Sequence, residues 1–216
     1  MKTICFLLAL MTAPLAAAEP EFTSLFNGKN LDGWKVVNGR GEYRAENGCI
    51  VGHGENLRRN TFLRTEKTYA DFDFRFEMKF DNLRGNSGVQ FRSQQKPGDD
   101  GRVFGYQCEH DNKKKRAWTA GLYDEARRGW LVPDRDDKEA AAAFTERGRE
   151  LFRWDDWNDI RIVCEGRRIR IWLNGEQTVD FTDDGEAFTP EGFFGLQVHS
   201  GKSCRVRWRH LRVKPL

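Results

Sequence analysis

The sequence predicts an all-β domain, two antiparallel sheets packed as a sandwich with one short helical insertion, and three observations carry that expectation. Apolar and charged residues alternate over long runs, two-residue turn signals join such runs, and helices do not alternate with them. A length of 216 residues suits one domain, and 16 Phe with 7 Trp suffice for a large core. The 36 basic and 33 acidic residues nearly cancel, so nothing calls for a polyanion and nucleic acid is not expected as a partner.

In chain order, the first segment stands apart from the domain. Lys2 supplies a positive start, Ile4 to Leu10 an apolar stretch and Ala16-Ala17-Ala18 a cleavage site, so residues 1–18 read as an export signal that is removed. Residues 19–216 then form the single domain. The apolar stretch is too short, and too soon broken by Pro14, to span a bilayer. The mature protein is expected to be exported, periplasmic or secreted, with no membrane partner. Export permits disulfides; Cys49, Cys108, Cys164 and Cys204 allow three pairings, with buried free thiols as the alternative.

From Asp71 to Phe80 every even position is apolar and every odd one charged, which is a strand with one packed and one wet face. Ile160 to Cys164 and Ile169 to Leu173 are β-branched runs joined across Glu165-Gly166-Arg167-Arg168. Asn174-Gly175 then turns the chain into Gln177 to Phe181 as a hairpin. Cys204 to Trp208 continues the alternation, and Leu211 and Val213 change parity as a bulge requires. Lys138 to Phe152, with Ala140 to Ala143, Asp136 and Asp137 before it and Arg147, Arg149 and Arg153 at its end, predicts the one helix.

Three strands carry a second, polar parity. Gln90 and Arg92 oppose Val89 and Phe91; Gln107, Glu109 and Asp111 oppose Tyr106, Cys108 and His110; Gln197 and His199 oppose Phe194, Leu196 and Val198. Such a face supplies the donors and acceptors that sugar hydroxyls need, although a merely solvated outer face has the same parity. Trp118, Tyr123 and Trp130 follow, interleaved with Asp124, Glu125, Arg127 and Arg128, as flat surfaces for sugar C–H faces. The Lys113-Lys114-Lys115-Arg116 run reads as a solvated loop bordering this face, where it could steer an anionic group. Glu109 and Asp111 invite comparison with the carboxyl pair of a glycosidase. The third acid of laminarinase-type sandwiches is absent, since Lys113 and Lys114 hold its positions.

The chain resembles the 3-keto-disaccharide hydrolase family. The resemblance lies in Ser24-Leu25-Phe26-Asn27-Gly28 through Trp34, Asn86-Ser87-Gly88-Val89-Gln90-Phe91-Arg92, Gly105-Tyr106-Gln107-Cys108-Glu109-His110-Asp111 and Gly121 to Trp130. Trp157-Asn158, Trp172-Leu173-Asn174-Gly175 and Gly195-Leu196-Gln197-Val198-His199 complete the order. It implies a concanavalin A-like jelly roll and cleavage of glycosides whose sugar a separate 3-oxidoreductase has already converted to the ketone. A C3 ketone acidifies the C2 proton, and the glycosidic oxygen on C1 becomes a β-leaving group. A base, an enolate stabiliser and an acid then suffice, with or without water adding back.

The candidate catalytic residues are Glu109, His199, Arg92 and Asp111. Glu109 or His199 would be the base, Arg92 the enolate partner, and Asp111 and Glu125 the acid or ligands of a possible divalent ion. Gln90, Gln107, Tyr123, Glu125, Arg128, Gln197, Trp118 and Trp130 would bind the sugar. A non-catalytic carbohydrate-binding module and an ordinary glycosidase or polysaccharide lyase are the competing expectations.

Overall fold

The alternation that opens at Asp71 becomes one wall of the core: Phe72, Phe74, Phe76, Met78 and Phe80 are all buried. The protein is described here by a computed structural model covering residues 21–81 and 85–216; the expected export signal lies outside the described residues. Strands run in the order β1 (Thr23–Ser24), β2 (Trp34–Val37), β3 (Glu42–Glu46), β4 (Cys49–Leu57), β5 (Thr61–Thr65), β6 (Phe72–Phe80), β7 (Asn86–Gln95), β8 (Val103–Asp111), β9 (Leu122–Glu125) and β10 (Gly129–Val132). Helix α1 (Lys138–Leu151) follows, then β11 (Asn158–Glu165), β12 (Arg168–Leu173), β13 (Glu176–Thr182), β14 (Phe193–Val198) and β15 (Gly201–Pro215).

These form two antiparallel sheets, a jelly-roll sandwich as the sequence predicts. One has the order β13-β12-β11-β6-β15-β4-β3 with β1 against β15; the other runs β10-β9-β8-β7-β14-β5-β2. Aromatic rings lock the layers together: Phe194 of β14 stacks on Phe74 of β6 at 4.1 Å between centroids and meets Phe72 edge-on at 4.8 Å. His110 shares this core, 5.8 Å from Phe76, and burial pushes its pKa down to about 4, so the ring is neutral there. All four described cysteines are buried free thiols.

Turn chemistry sets the registers. Asn174 and Gly175 both have positive φ, 51° and 91°, the left-handed pair that a two-residue hairpin between β12 and β13 needs. In β15 the pairing with β6 shifts between Arg209 and Arg212, with His210 at φ 54°, which produces the parity change at Leu211 and Val213. Helix α1 starts where Asp137 accepts hydrogen bonds from the Glu139 and Ala140 N–H groups at 3.1 and 3.0 Å.

A second bulge overturns one expectation. The register of β7 against β8 shifts between Phe91 and Gln94, and Arg92 adopts φ 44°. Its side chain therefore leaves the polar face on which simple alternation puts it and becomes fully buried. There it donates to the Ala70 and Gly166 carbonyls at 2.7 Å each and to Asp71 Oδ1 at 2.5 Å. Arg92 thus ties β7 to the segment entering β6 and to the β11–β12 turn of the opposite sheet. Arg92→Ala should cost about 2–4 kcal/mol, because two carbonyls lose the Arg92 donor and the Asp71 carboxylate loses its counter-charge, keeping only the Gly166 N–H. At about 2–4 °C per kcal/mol in a domain of this size, thermal unfolding reads it directly. An unchanged midpoint would contradict the structural role.

Candidate active site

The β7–β8 hairpin brings the polar parity together. Its register pairs Asn86 with Asp111, Gly88 with Glu109 and Gln90 with Gln107, while β14 sets Gly195 beside Gln90. A Cβ on Gly88 would fall 2.5 Å from Gln107 Cδ, so glycine there leaves room for the Gln107 side chain to lie across β7. Gln107 then accepts from Gln90 at 2.6 Å and from Gln197 at 3.1 Å, and donates to Glu109 Oε2 at 3.0 Å. Three glutamines on three adjacent strands thus aim one amide N–H at one carboxyl.

Glu109 lies at the floor of a small cavity of about 190 Å³, lined also by Asn86, Gln107, Lys113, Arg116, Tyr123, Glu125, Trp130 and His199. Only 4% of it is exposed. Burial is the main force on its carboxyl; Asp111 adds to it, while hydrogen bonds from Asn86 and Gln107 and the charge of Arg116 oppose it. The result is a pKa pushed up to about 7. His199 moves the other way, lowered mainly by burial and further by Lys113 and Arg116. Its Nδ1 lies 2.7 Å from the Ser200 carbonyl, which can only accept, so the proton sits on Nδ1 and neutral His199 presents a lone pair at Nε2.

Arg116 is the site residue that pattern reading underrates. Its Nη2 donates to Glu109 Oε1 at 2.9 Å and its Nε to Asp111 Oδ2 at 2.6 Å. The guanidinium lies 5.1 Å from the Trp130 ring centroid and 5.6 Å from that of Trp118. Helix α1 holds the loop that carries it: Arg149 donates to the Lys114 and Lys115 carbonyls at 2.8 and 3.0 Å, and Trp118 Nε1 donates to Thr145 Oγ1 at 2.8 Å. A Cβ on Gly148 would sit 1.9 Å from the Ala117 carbonyl oxygen, so helix and loop meet backbone to backbone. Asn86, whose Nδ2 donates to Glu109 Oε1 at 2.6 Å, is the other addition. In the sequence it stands in the block from Asn86 to Arg92 that carries the family resemblance, without a role assigned to it there.

The remaining candidates divide by location. Glu109, His199, Gln107, Tyr123, Glu125 and Trp130 line the cavity. Gln90 and Gln197 are fully buried beneath it and serve Gln107, so they are not among the groups that meet a ligand there. Phe62, the β5 neighbour of Gln197, joins Val37, Val103 and Phe193 in a second apolar cluster beside them. Asp111 is fully buried, its oxygens taken by Arg116 and by the Lys113 and Trp118 N–H groups, so it positions Arg116. Trp118 stands behind Trp130, edge to face at 4.6 Å. Arg128 is committed to Asp124 and Asp183 and lines an adjoining cavity of about 420 Å³ past Tyr123 and Trp130. Arg92 lies away from the cavity, as described above. For the possible divalent ion, no group of three or more His, Cys, Asp or Glu suited to a metal occurs among the described residues.

Two consequences can be measured. Folded Glu109 keeps its proton up to about pH 7, whereas the unfolded chain releases it near the ordinary value of 4.5. Between those values folded Glu109 binds more proton than unfolded Glu109, so its own contribution to stability falls as pH rises through the window and levels off above it. His110 and His199, both lowered, contribute the opposite slope below about 6.5 in parent and variant alike. Glu109→Gln should remove that fall, about 3 kcal/mol at most, from the denaturant-derived stability profile between pH 4.5 and 8. A variant profile parallel to the parent's would refute the raised pKa. Gly148→Ala, which in an open helix adds about 1 kcal/mol, should here cost about 1–3 kcal/mol by pushing the Arg116 loop away; a stabilised variant would sink the backbone contact.

A profile of the 3-keto-alpha-glucoside-1,2-lyase-like domain matches residues 21–214, nearly the whole described chain. No curated protein matches. Among solved structures, a candidate glycosyl hydrolase from Parabacteroides distasonis shares 21% identity over 90% of this chain and 94% of its own, with a TM-score of 0.59. A carbohydrate-binding module from Bacillus subtilis shares 17% over 84% and 95%, with a TM-score of 0.54. A Bacillus subtilis protein with a galectin-like fold shares 11% over 85% and 90%, with a TM-score of 0.60. At these identities the likeness is one of fold, and it is the profile match that assigns kinship: the chain belongs to the 3-keto-alpha-glucoside-1,2-lyase-like domain family.

Proposed function

We propose that the protein is an exported enzyme that cleaves glycosides whose sugar is already a ketone at C3. Family membership supports a carbohydrate-related role. The observation that carries the finer reading is the opposed tuning of two groups in one cavity, Glu109 up to about 7 and His199 downward. His199 Nε2 takes the C2 proton, and the electron pair moves onto the C3 oxygen as an enolate beside the Arg116 guanidinium. The enolate collapses back to the ketone, the C1–O bond breaks, and the Glu109 proton passes to the departing oxygen. Tyr123 and Trp130 offer ring faces to the sugar. Water adding across the new C1–C2 double bond gives net hydrolysis; without it the enzyme is a lyase. Residues 1–18 support delivery to the periplasm or beyond, and an oxidoreductase acting on the C3 hydroxyl must supply the substrate.

The engagement of Asp111 with Arg116 speaks against an ordinary glycosidase, which needs two carboxyl groups open to the same bond. A carbohydrate-binding module would bind in the same cavity without turnover.

The test is mass spectrometry of products from a glucoside and from its 3-keto derivative. Cleavage of the keto compound alone is expected, and a product lighter by one water than the hydrolysis product identifies elimination without rehydration. Cleavage of the plain glucoside would move the protein to the glycosidases, and binding without cleavage of either to the binding modules. Glu109→Gln should lower kcat by about 10²–10⁴ on an alkyl 3-keto-glucoside. A 4-nitrophenyl leaving group, which departs unprotonated, should restore most of that rate in Glu109→Gln and none in His199→Gln. The opposite pattern would exchange the two roles.

A further inference from the structure

A larger cavity of about 540 Å³ shares Glu125 with the Glu109 cavity, and its wall includes Ser200, the residue whose carbonyl orients His199. Three arginines line it: Arg58 and Arg59 from the β4–β5 turn and Arg102 from the end of the β7–β8 loop. All three are exposed. Elsewhere this protein spends guanidinium groups on carboxylates, as Arg116, Arg128, Arg161, Arg168 and Arg207 each do. Among the described residues Arg58, Arg59 and Arg102 have no ion-pair partner, even though Asp100 shares their cavity. Glu125, the other acid there, is pushed toward its neutral form by burial, against the opposing charge of Arg102. The cavity therefore carries an excess of positive charge and several unused planar donors.

We infer that this cavity is the leaving-group subsite, and that it selects glycosides whose departing half carries a carboxylate or sulfate. The argument is one of chemistry and position. A planar guanidinium pairs with such groups through two parallel hydrogen bonds, and several of them at one wall create a field that a neutral sugar does not use. Part of the lining of the Glu109 cavity is aromatic, formed by Tyr123 and Trp130, which do not line the arginine cavity, and suits the ring of the keto sugar. A glycoside lying across Glu109 with its oxidised ring on the aromatic side extends its other half past Glu125 toward the arginines.

Assignment of the cavity to the leaving group rests on the proposed cleavage; its preference for anions does not, and two arms keep them apart. In the first, calorimetry follows an unoxidised disaccharide ending in a uronic acid, its 6-sulfated counterpart and the neutral parent. The protein should bind at least one acidic sugar about 10-fold or more tightly than the neutral one, with the margin shrinking as salt rises. Which of the two acids gains the margin identifies the group. In the triple variant Arg58→Gln, Arg59→Gln, Arg102→Gln the margin should collapse to about one. Equal binding of acidic and neutral sugars, or a margin that survives the triple variant, overturns the inference whether or not the protein turns anything over. In the second arm, kcat/KM is compared for 3-keto-glycosides with acidic and neutral leaving groups. A preference for the acidic substrate that the triple variant loses supports the subsite. Tighter acidic binding with equal kcat/KM would detach the anion site from the leaving group. Absence of cleavage of both substrates would refute the cleavage reading, and with it the leaving-group assignment, while the first arm still decides anion recognition.

Discussion

One guanidinium stands between two carboxyl groups on the same strand face, and much of the molecule is arranged to keep it there. Glu109 and Asp111 are two residues apart on β8, so their side chains leave the sheet side by side. Without a cation they would repel inside a nearly dry space. Arg116 bridges them, yet it sits on a loop, where a free chain would spend substantial entropy to hold one geometry. The helix supplies the restraint. Its Arg149 clamps two loop carbonyls, its Thr145 takes the Trp118 indole, and its Gly148 lets the backbones touch. A helix that interrupts an all-β chain thereby becomes a brace for the site.

That dependence explains what could be read from sequence and what could not. The sandwich, the β6 alternation, the Asn174-Gly175 hairpin, the β15 bulge and the helix from Lys138 all rest on local rules that act within a few residues. The same rules put Glu109, Gln107 and His199 on one face. Arg116 escaped because a run of basic residues on a loop has no periodicity, and its partners lie five and seven residues back on a strand. Asn86 escaped because only register, a long-range property, brings it to Glu109. Arg92 went astray for the converse reason: alternation holds only while pairing is regular, and one bulge residue sends the side chain to the other side of the sheet.

The polar face also divides into layers that a parity argument merges. Gln90 and Gln197 share the face with Glu109 but are sealed beneath Gln107 and beside a small apolar cluster. They orient an amide that orients a carboxyl. Residues of this kind look like ligand contacts in a sequence because their chemistry is the same; burial alone separates the two. Amide chains of this sort leave Gln107 with its oxygen satisfied twice and its N–H directed at Glu109, so the amide orientation follows from the network.

The energetics of Glu109 bear on what such a site is for. A carboxyl whose pKa is pushed up to about 7 withholds stability from the folded protein at neutral pH, since the unfolded chain ionises freely. A neutral amide of the same shape would relieve that cost, but its NH2 would face either the Gln107 N–H or the Asn86 and Arg116 donors, so only a carboxyl accepts from all three. A group able to surrender and recover a proton near neutrality is useful when a proton has to move. The neighbouring imidazole has its tautomer set by a backbone carbonyl, which leaves Nε2 with the lone pair. On the proposed reading, an acid and a base held apart in protonation state within one cavity are what the proton transfers of the cleavage require.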